Sequence, residues 1–134
     1  MRLLKYVSAA LLTISLSLAA MPPSVAAPTE ALFTQQAFDA SQKQGKPILV
    51  HVNAPWCPFC AKQRPIIAKL LTEPKFKDLV VYSVDFDTQK AQLKEFGVQK
   101  QSTLIVFKGT AEKARSTGET DPAKIESMVA QSVQ

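Results

Sequence analysis

Only two cysteines occur in the 134 residues, and both lie in Trp56-Cys57-Pro58-Phe59-Cys60. Thiols at that spacing on one helix stand on the same side, within reach of a disulfide. A Cys-x-x-Cys pair at the junction of an apolar run and a helical pattern is first of all a redox site. At a helix N-terminus, unpaired N–H groups and the helix dipole favour the reactive thiolate. Cys57 is therefore the residue to exchange with a partner, and Cys60, one turn on and partly shielded, the one to resolve the mixed disulfide. The competing readings are an inert disulfide and half of a metal site. A structural bridge over so short a loop would remove little chain entropy. Trp56 either shields the sulfurs and helps to dock a partner or only packs. Phe59 is expected beside Cys57 as an exposed apolar contact.

Periodicity supplies the elements that must position this pair. Residues 29–44 read as a first helix with Leu32, Phe33, Ala37 and Phe38 as its apolar positions, ended by Gly45 and Pro47. Residues 48–52 read as a strand buried on both faces. Cys57 then opens a helix with Pro58 in its first turn, where a missing N–H costs nothing. Ile66, Ile67, Leu70 and Leu71 form its buried stripe, Lys62, Arg64 and Lys69 face solvent, and Pro65 should kink it. A strand over 79–86, a helix over 88–96 stopped by Gly97, and a buried strand over 103–107 follow. After the turn Lys108-Gly109-Thr110, residues 111–117 form a polar edge strand. Asp121 and Pro122 cap a last helix that turns Ile125, Met128 and Val129 inward. This order predicts an α/β fold with a mixed sheet of about four strands and helices on both faces.

The first residues read as an address rather than as fold. A basic start (Arg2, Lys5), an apolar stretch over 7–21, a Pro22-Pro23 break and the small residues Ser24-Val25-Ala26 match a secretory signal peptide. The stretch is shorter than the ~20 residues of a spanning helix; an uncleaved anchor is the alternative. No cysteine is present there to carry a lipid. A cut after Ala26, to within one residue, divides the chain into 1–26 and 27–134; removing 26 of 134 residues leaves 108, one domain. Loss of Arg2 and Lys5 takes the net charge from +5 to +3, with the positive residues scattered, which argues against nucleic acid as a partner. Export would place the thiols in an oxidising compartment, the periplasm.

On these residues the chain resembles the thioredoxin family over essentially all of 27–134. The W-C-x-x-C motif at Trp56 to Cys60 is the most specific element. Pro65, five residues after the second cysteine, the interval from Asp87 to Gly97, the run 103–107 and Gly118 agree with the family's spacing. The resemblance implies a thioredoxin fold, disulfide exchange with protein thiols or disulfides, no bound cofactor, a monomer, and a membrane electron-transfer partner. Direction, reductant or oxidant, stays open.

Four departures from the family matter. Ser102 takes the place of its cis-proline, just before Thr103, so the residue whose backbone would meet substrate is Gln101. A cis bond without proline costs ~2.5–4 kcal/mol, which favours trans and a remodelled groove; the Ser102 hydroxyl could also bond the Cys57 thiolate. His51 replaces the family's buried acid, six residues before Cys57; it either relays a proton to and from Cys60 or is a buried neutral side chain. Without that acid no negative charge would oppose the thiolate, and a site more oxidising than thioredoxin is expected. The dipeptide Pro58-Phe59 is similar to glutaredoxins, and Ser83 stands where thioredoxin has a lysine. Because the family's proline also keeps metal from the cysteines, the alternative function is a copper-handling module built on two soft thiolates, without an obvious third ligand.

Overall fold

The computed structural model describes residues 29–134. The expected signal peptide, 1–26, with its cut after Ala26, lies outside the described residues. Strand β1 (Glu30–Leu32) is followed by helix α1 (Gln35–Lys43), strand β2 (Pro47–Asn53) and helix α2 (Pro58–Leu70). A 3-10 turn (Pro74–Phe76) leads to strand β3 (Val80–Asp85), helix α3 (Lys90–Glu95), strands β4 (Thr103–Lys108) and β5 (Ala111–Thr117), and helix α4 (Pro122–Ala130). The sheet order is β1-β3-β2-β4-β5. β1, β3 and β2 run parallel, whereas β4 pairs antiparallel with both β2 and β5.

Two expectations change at the start of the chain. The sheet has five strands rather than about four, and residues 29–34 are not helical. Leu32, Phe33, Ala37 and Phe38 happen to match a helical spacing, but they belong to two elements. Thr34 has an extended backbone, and its hydroxyl accepts from the Ala37 N–H at 3.2 Å, so the helix starts only there. Ahead of that cap, β1 satisfies its backbone against β3, with Ala31 opposite Tyr82. Leu32 is consequently 81% exposed on an edge strand, while Phe33 turns inward. At the other end of α1, Gly45 adopts φ +66°, the left-handed turn that stops a helix at little cost when no Cβ is present.

Alternation along β2 sorts the interior into two layers, because successive side chains leave opposite faces. Ile48, Val50 and Val52 join Phe33, Phe38, Tyr82, Leu93, Ile105 and Phe107 beneath α1 and α3. Leu49 joins Ile67, Leu70, Val81, Leu104, Ile125 and Val129 beneath α2 and α4. His51 shares the face of Leu49 and is fully buried. The strand expected to be buried on both faces is therefore so, with one titratable side chain in it. In α2, Ile67, Leu70 and Leu71 are buried as the stripe requires, but Ile66 is only partly so. The helix continues through Pro65 to Leu70.

Phe38 holds the second layer together. Its ring lies 5.4–6.0 Å from those of Phe33, Tyr82, Phe96 and Phe107. Tyr82 in turn donates its hydroxyl to the Ala37 carbonyl at 2.8 Å, fixing α1 to β3. Phe38→Ala should destabilise the domain by about 3–5 kcal/mol. Urea unfolding should show the loss as a lower midpoint at unchanged slope; a midpoint within error of the native protein would contradict this packing.

Candidate functional site

β2 ends at Asn53, and the chain turns through Ala54-Pro55-Trp56 before α2. The Cys57 N–H donates to the Ala54 carbonyl at 3.2 Å, which closes the turn. Cys57 is the N-cap of α2, with extended backbone, and its Sγ accepts from the Cys60 N–H at 3.1 Å. Pro58 is the first helical residue, and no acidic side chain occupies the first turn. Cys57 and Cys60 form a disulfide with Cα atoms 5.3 Å apart. The two are 1% and 0% exposed and pack with Ala54 and Phe86. An incoming thiolate must therefore displace part of that shell to reach the sulfurs.

The motif's aromatics flank the bridge. Trp56 is 58% exposed and Phe59 49%, two of the three large apolar side chains exposed among the described residues. Trp56 is not loose. Its Nε1–H donates to Asp87 Oδ2 at 2.8 Å, and its ring meets Phe86 edge-on at 6.4 Å. Asp87 is itself held, because Asp85 Oδ1 accepts from the N–H groups of Asp87 and Thr88, each at 2.8 Å. Those bonds, with Thr88's first, keep the Asp85 carboxyl below the usual carboxylate range. The turn carrying Asp87 thus stays tied until pH falls through that lowered range. Trp56 is thus anchored through its indole N–H while much of its ring stays exposed.

Ser102 sits in a left-handed turn before β4. All peptide bonds among the described residues are trans, Gln101–Ser102 included, and Ser102 has φ +60°. Its N–H donates to the Val52 carbonyl at 2.8 Å and its own carbonyl accepts from Gly118 N–H at 2.9 Å. The Ser102 hydroxyl, expected near the Cys57 thiolate, is instead donated to the Gln101 carbonyl. Thr103 completes the loop, its hydroxyl donating to the Lys100 carbonyl at 2.8 Å. Gln101 stays partly exposed.

Gln63 is the site residue that sequence reasoning missed. It is fully buried, and its Nε2 donates to the carbonyls of Ser102 at 3.1 Å and Glu119 at 2.9 Å. It pins the left-handed turn to the helix that carries the cysteines. The signal was available: Cys60, Gln63, Ile67 and Leu70 recur at helical spacing, so one amide falls on the buried stripe. Arg64, expected only to face solvent, donates from Nη2 to the Ala54 carbonyl at 3.2 Å and braces the turn ahead of Cys57.

His51 also has a partner that the sequence did not suggest. Its Nδ1 lies 2.8 Å from Glu30 Oε1, whereas Nε2 is buried without a partner among the described residues. Glu30 reaches it from β1 across β3, where the small Ser83 stands opposite His51 and accepts from Asn53 Nδ2. Glu30, a residue to which the sequence assigned no role, thus bonds the imidazole from the edge strand. Among the described residues, no group of three or more His, Cys, Asp or Glu side chains is placed to hold a metal.

The sequence model of the family described as Thioredoxin matches residues 29–131. The protein disulfide-isomerase erp38 of Neurospora crassa is 38% identical over 102 residues, covering 73% of this chain and 28% of the isomerase. A thioredoxin of Mycobacterium tuberculosis is 38% identical over 63 residues, or 47% of this chain and 53% of that protein. The chain thus spans about half or less of the length of these two relatives. The crystal structure of Trxlp from Edwardsiella tarda EIB202 superposes with a TM-score of 0.73 at 40% identity, covering 75% of this chain and 98% of that one.

The left-handed turn makes a sharp prediction. Ser102→Val should destabilise by about 2 kcal/mol or more, because a branched Cβ resists positive φ. Ser102→Gly, which relieves that conformation, should stay within about 1 kcal/mol of the native protein. Equal urea midpoints for the two variants would show that the turn is not left-handed.

Proposed function

The chain belongs to the thioredoxin family, and from that premise we propose that it is an exported thiol–disulfide oxidoreductase acting on protein substrates as a monomer, with no bound cofactor. The observation that carries this reading is Cys57 as N-cap of α2, its sulfur already accepting an N–H bond. In the reduced form the same N–H and the helix dipole would favour a thiolate at Cys57. That thiolate attacks a substrate disulfide, forms the Cys57–substrate bond and releases one substrate sulfur. Cys60 then attacks Cys57, the Cys57–Cys60 bond forms, and the second substrate sulfur leaves reduced. The enzyme is oxidised by two electrons and the substrate gains them.

Trp56 and Phe59 supply the apolar surface around the sulfurs, and the partly exposed Gln101 supplies the backbone beside it. The periplasm is supported by the signal-like pattern in 1–26 and by the economy of two cysteines, both in the motif. In that compartment a membrane electron-transfer partner would reset the pair. Delivery of Cu(I) through the same thiolates is the weaker reading. Among the described residues, no third His, Cys, Asp or Glu side chain is grouped with the two sulfurs to complete such a site.

Purified protein should catalyse reduction of insulin by dithiothreitol, and Cys57→Ser should abolish it. Cys60→Ala should accumulate adducts on Cys57 in periplasmic extracts that dithiothreitol dissolves on a non-reducing gel. Absence of catalysis and of adducts, with stoichiometric copper on the purified protein, would replace this reading with the metal one.

A further inference from the structure

The β4–β5 hairpin borders a concavity that the exchange chemistry does not use. It is an open cavity of about 440 Å³ beside the edge strand β5. Lys100 and Thr103 line it, and they bracket the Gln101–Ser102 turn; Arg115 and Thr117 line it from β5. Thr103 stands opposite Val52 on β2, and the Ser102 N–H donates to the Val52 carbonyl. The cavity therefore opens at the end of the sheet from which the chain leaves for Cys57.

A break in the strand pairing arranges one wall. Ala114 opposes Val106 and Glu112 opposes Phe107, so Lys113 is left without a residue across the ladder. Residues three apart on a regular strand face opposite ways, and the extra residue puts Glu112 and Arg115 on the same side. Glu112 then accepts from the guanidinium twice, from Nε at 2.8 Å and Nη2 at 3.0 Å, while Nη1 donates to the Phe96 carbonyl at 2.8 Å. Three of the five N–H donors of the arginine are spent, and one on each terminal nitrogen remains. The fork is thus held before any ligand arrives. Lys100 is exposed and has no ion-pair partner among the described residues. Its carbonyl accepts from the Thr103 hydroxyl at 2.8 Å, which fixes its backbone. With that proton spent, Thr103 Oγ1 can only accept from the Thr117 hydroxyl, 2.9 Å away, so neither hydroxyl has a proton left for a ligand. Besides the Gln99 amide, the side-chain donors that remain are the two cations, and no carboxylate among the described residues lines the cavity.

We propose that this cavity receives a carboxylate side chain of the protein substrate, an Asp or Glu near the reacting cysteine in its sequence, and so gives the protein a preference for acidic segments. The inference rests on the disulfide exchange proposed above. Lys100 adjoins Gln101, so a segment laid along Gln101 toward Cys57 carries its neighbouring residues past the cavity. A free carboxylate gains little from cations this exposed. One tethered to a segment that is already docking is presented at high effective concentration. The buried Val98 offers an apolar wall to the methylenes of that side chain. Glutamine has the same shape and meets the same guanidinium hydrogens, but without the charge that Lys100 and Arg115 attract. Lys100 and Arg115 are then specificity residues that touch substrate away from the sulfurs.

Synthetic peptides that carry a single cysteine as its mixed disulfide with thionitrobenzoate test this. One glutamate is walked along the positions on either side of the cysteine, and matched peptides carry glutamine. Cys57 of the reduced protein attacks the peptide sulfur, and the coloured thionitrobenzoate leaves as thiolate. In low salt, at least one glutamate position should release it about fivefold or more faster than its glutamine match. The advantage should fall below about twofold in Lys100→Gln, and also in ~1 M salt, where the screening length is about 3 Å. Lys113→Gln removes the same charge from the bulge, outside the cavity, and should keep the advantage. Lys100→Glu should reverse it, so that lysine at that position gives the faster peptide. Lys100 and Lys113 are both exposed, so these substitutions leave the core intact. Glutamate and glutamine peptides that react alike at every position overturn the proposal while exchange stands, and so does an advantage lost equally in Lys113→Gln and Lys100→Gln. Release from none of the peptides overturns the exchange itself.

Discussion

One sulfur atom does two jobs in this structure. Cys57 Sγ caps the N-terminus of α2 and is half of the bridge that any exchange must open. A helix start leaves N–H groups without partners, and here the reacting atom is what satisfies one of them. The remaining local features serve to hold that start in place. The Ala54 carbonyl accepts from the Cys57 N–H, Arg64 bonds the same carbonyl, and Pro58 occupies the position where a donor would be wasted. The strand that feeds the turn is immobilised on both faces by the two packed layers, so the junction is carried on rigid elements.

A second constraint runs through the polar residues placed inside those layers. Buried polar groups persist when they are bonded, and two of those here, Gln63 and His51, reach partners far away in the sequence. Gln63 ties the active helix to a turn that holds positive φ at a non-glycine residue. His51 ties the sheet beneath the helix to a carboxylate at the surface. Where the family uses a proline and a buried acid, this chain uses a trans serine turn braced by an amide, and an imidazole backed by a glutamate. Both replacements involve two residues far apart in sequence, which exchange a built-in backbone or charge property for a side-chain contact.

That explains what could be read from the sequence and what could not. Cys57, Pro58, Gly45, Gly97 and Asp121 announce local events, a cap, a first turn or a helix stop, and the structure places each as expected. The buried strand β2 and the polar edge β5 follow from apolar content alone. β1 was missed because three residues on a sheet edge are defined by their partner strand, while their side chains matched a helix's spacing by coincidence. With β1 misread, Glu30 had no position, and so His51 had no partner. Gln63 was assignable to the buried stripe, but its acceptors, the carbonyls of Ser102 and Glu119, become neighbours only after the β4–β5 hairpin folds back.

The central claim is that the helix cap makes Cys57, and not Cys60, the exchanging sulfur. Its most direct measurement is the rate at which each cysteine of the reduced protein is alkylated by iodoacetamide at neutral pH, followed on the two residues separately by mass spectrometry. The capped, dipole-facing thiol should react at least about ten times faster than its partner. Equal rates, or modification of Cys60 first, would contradict the assignment.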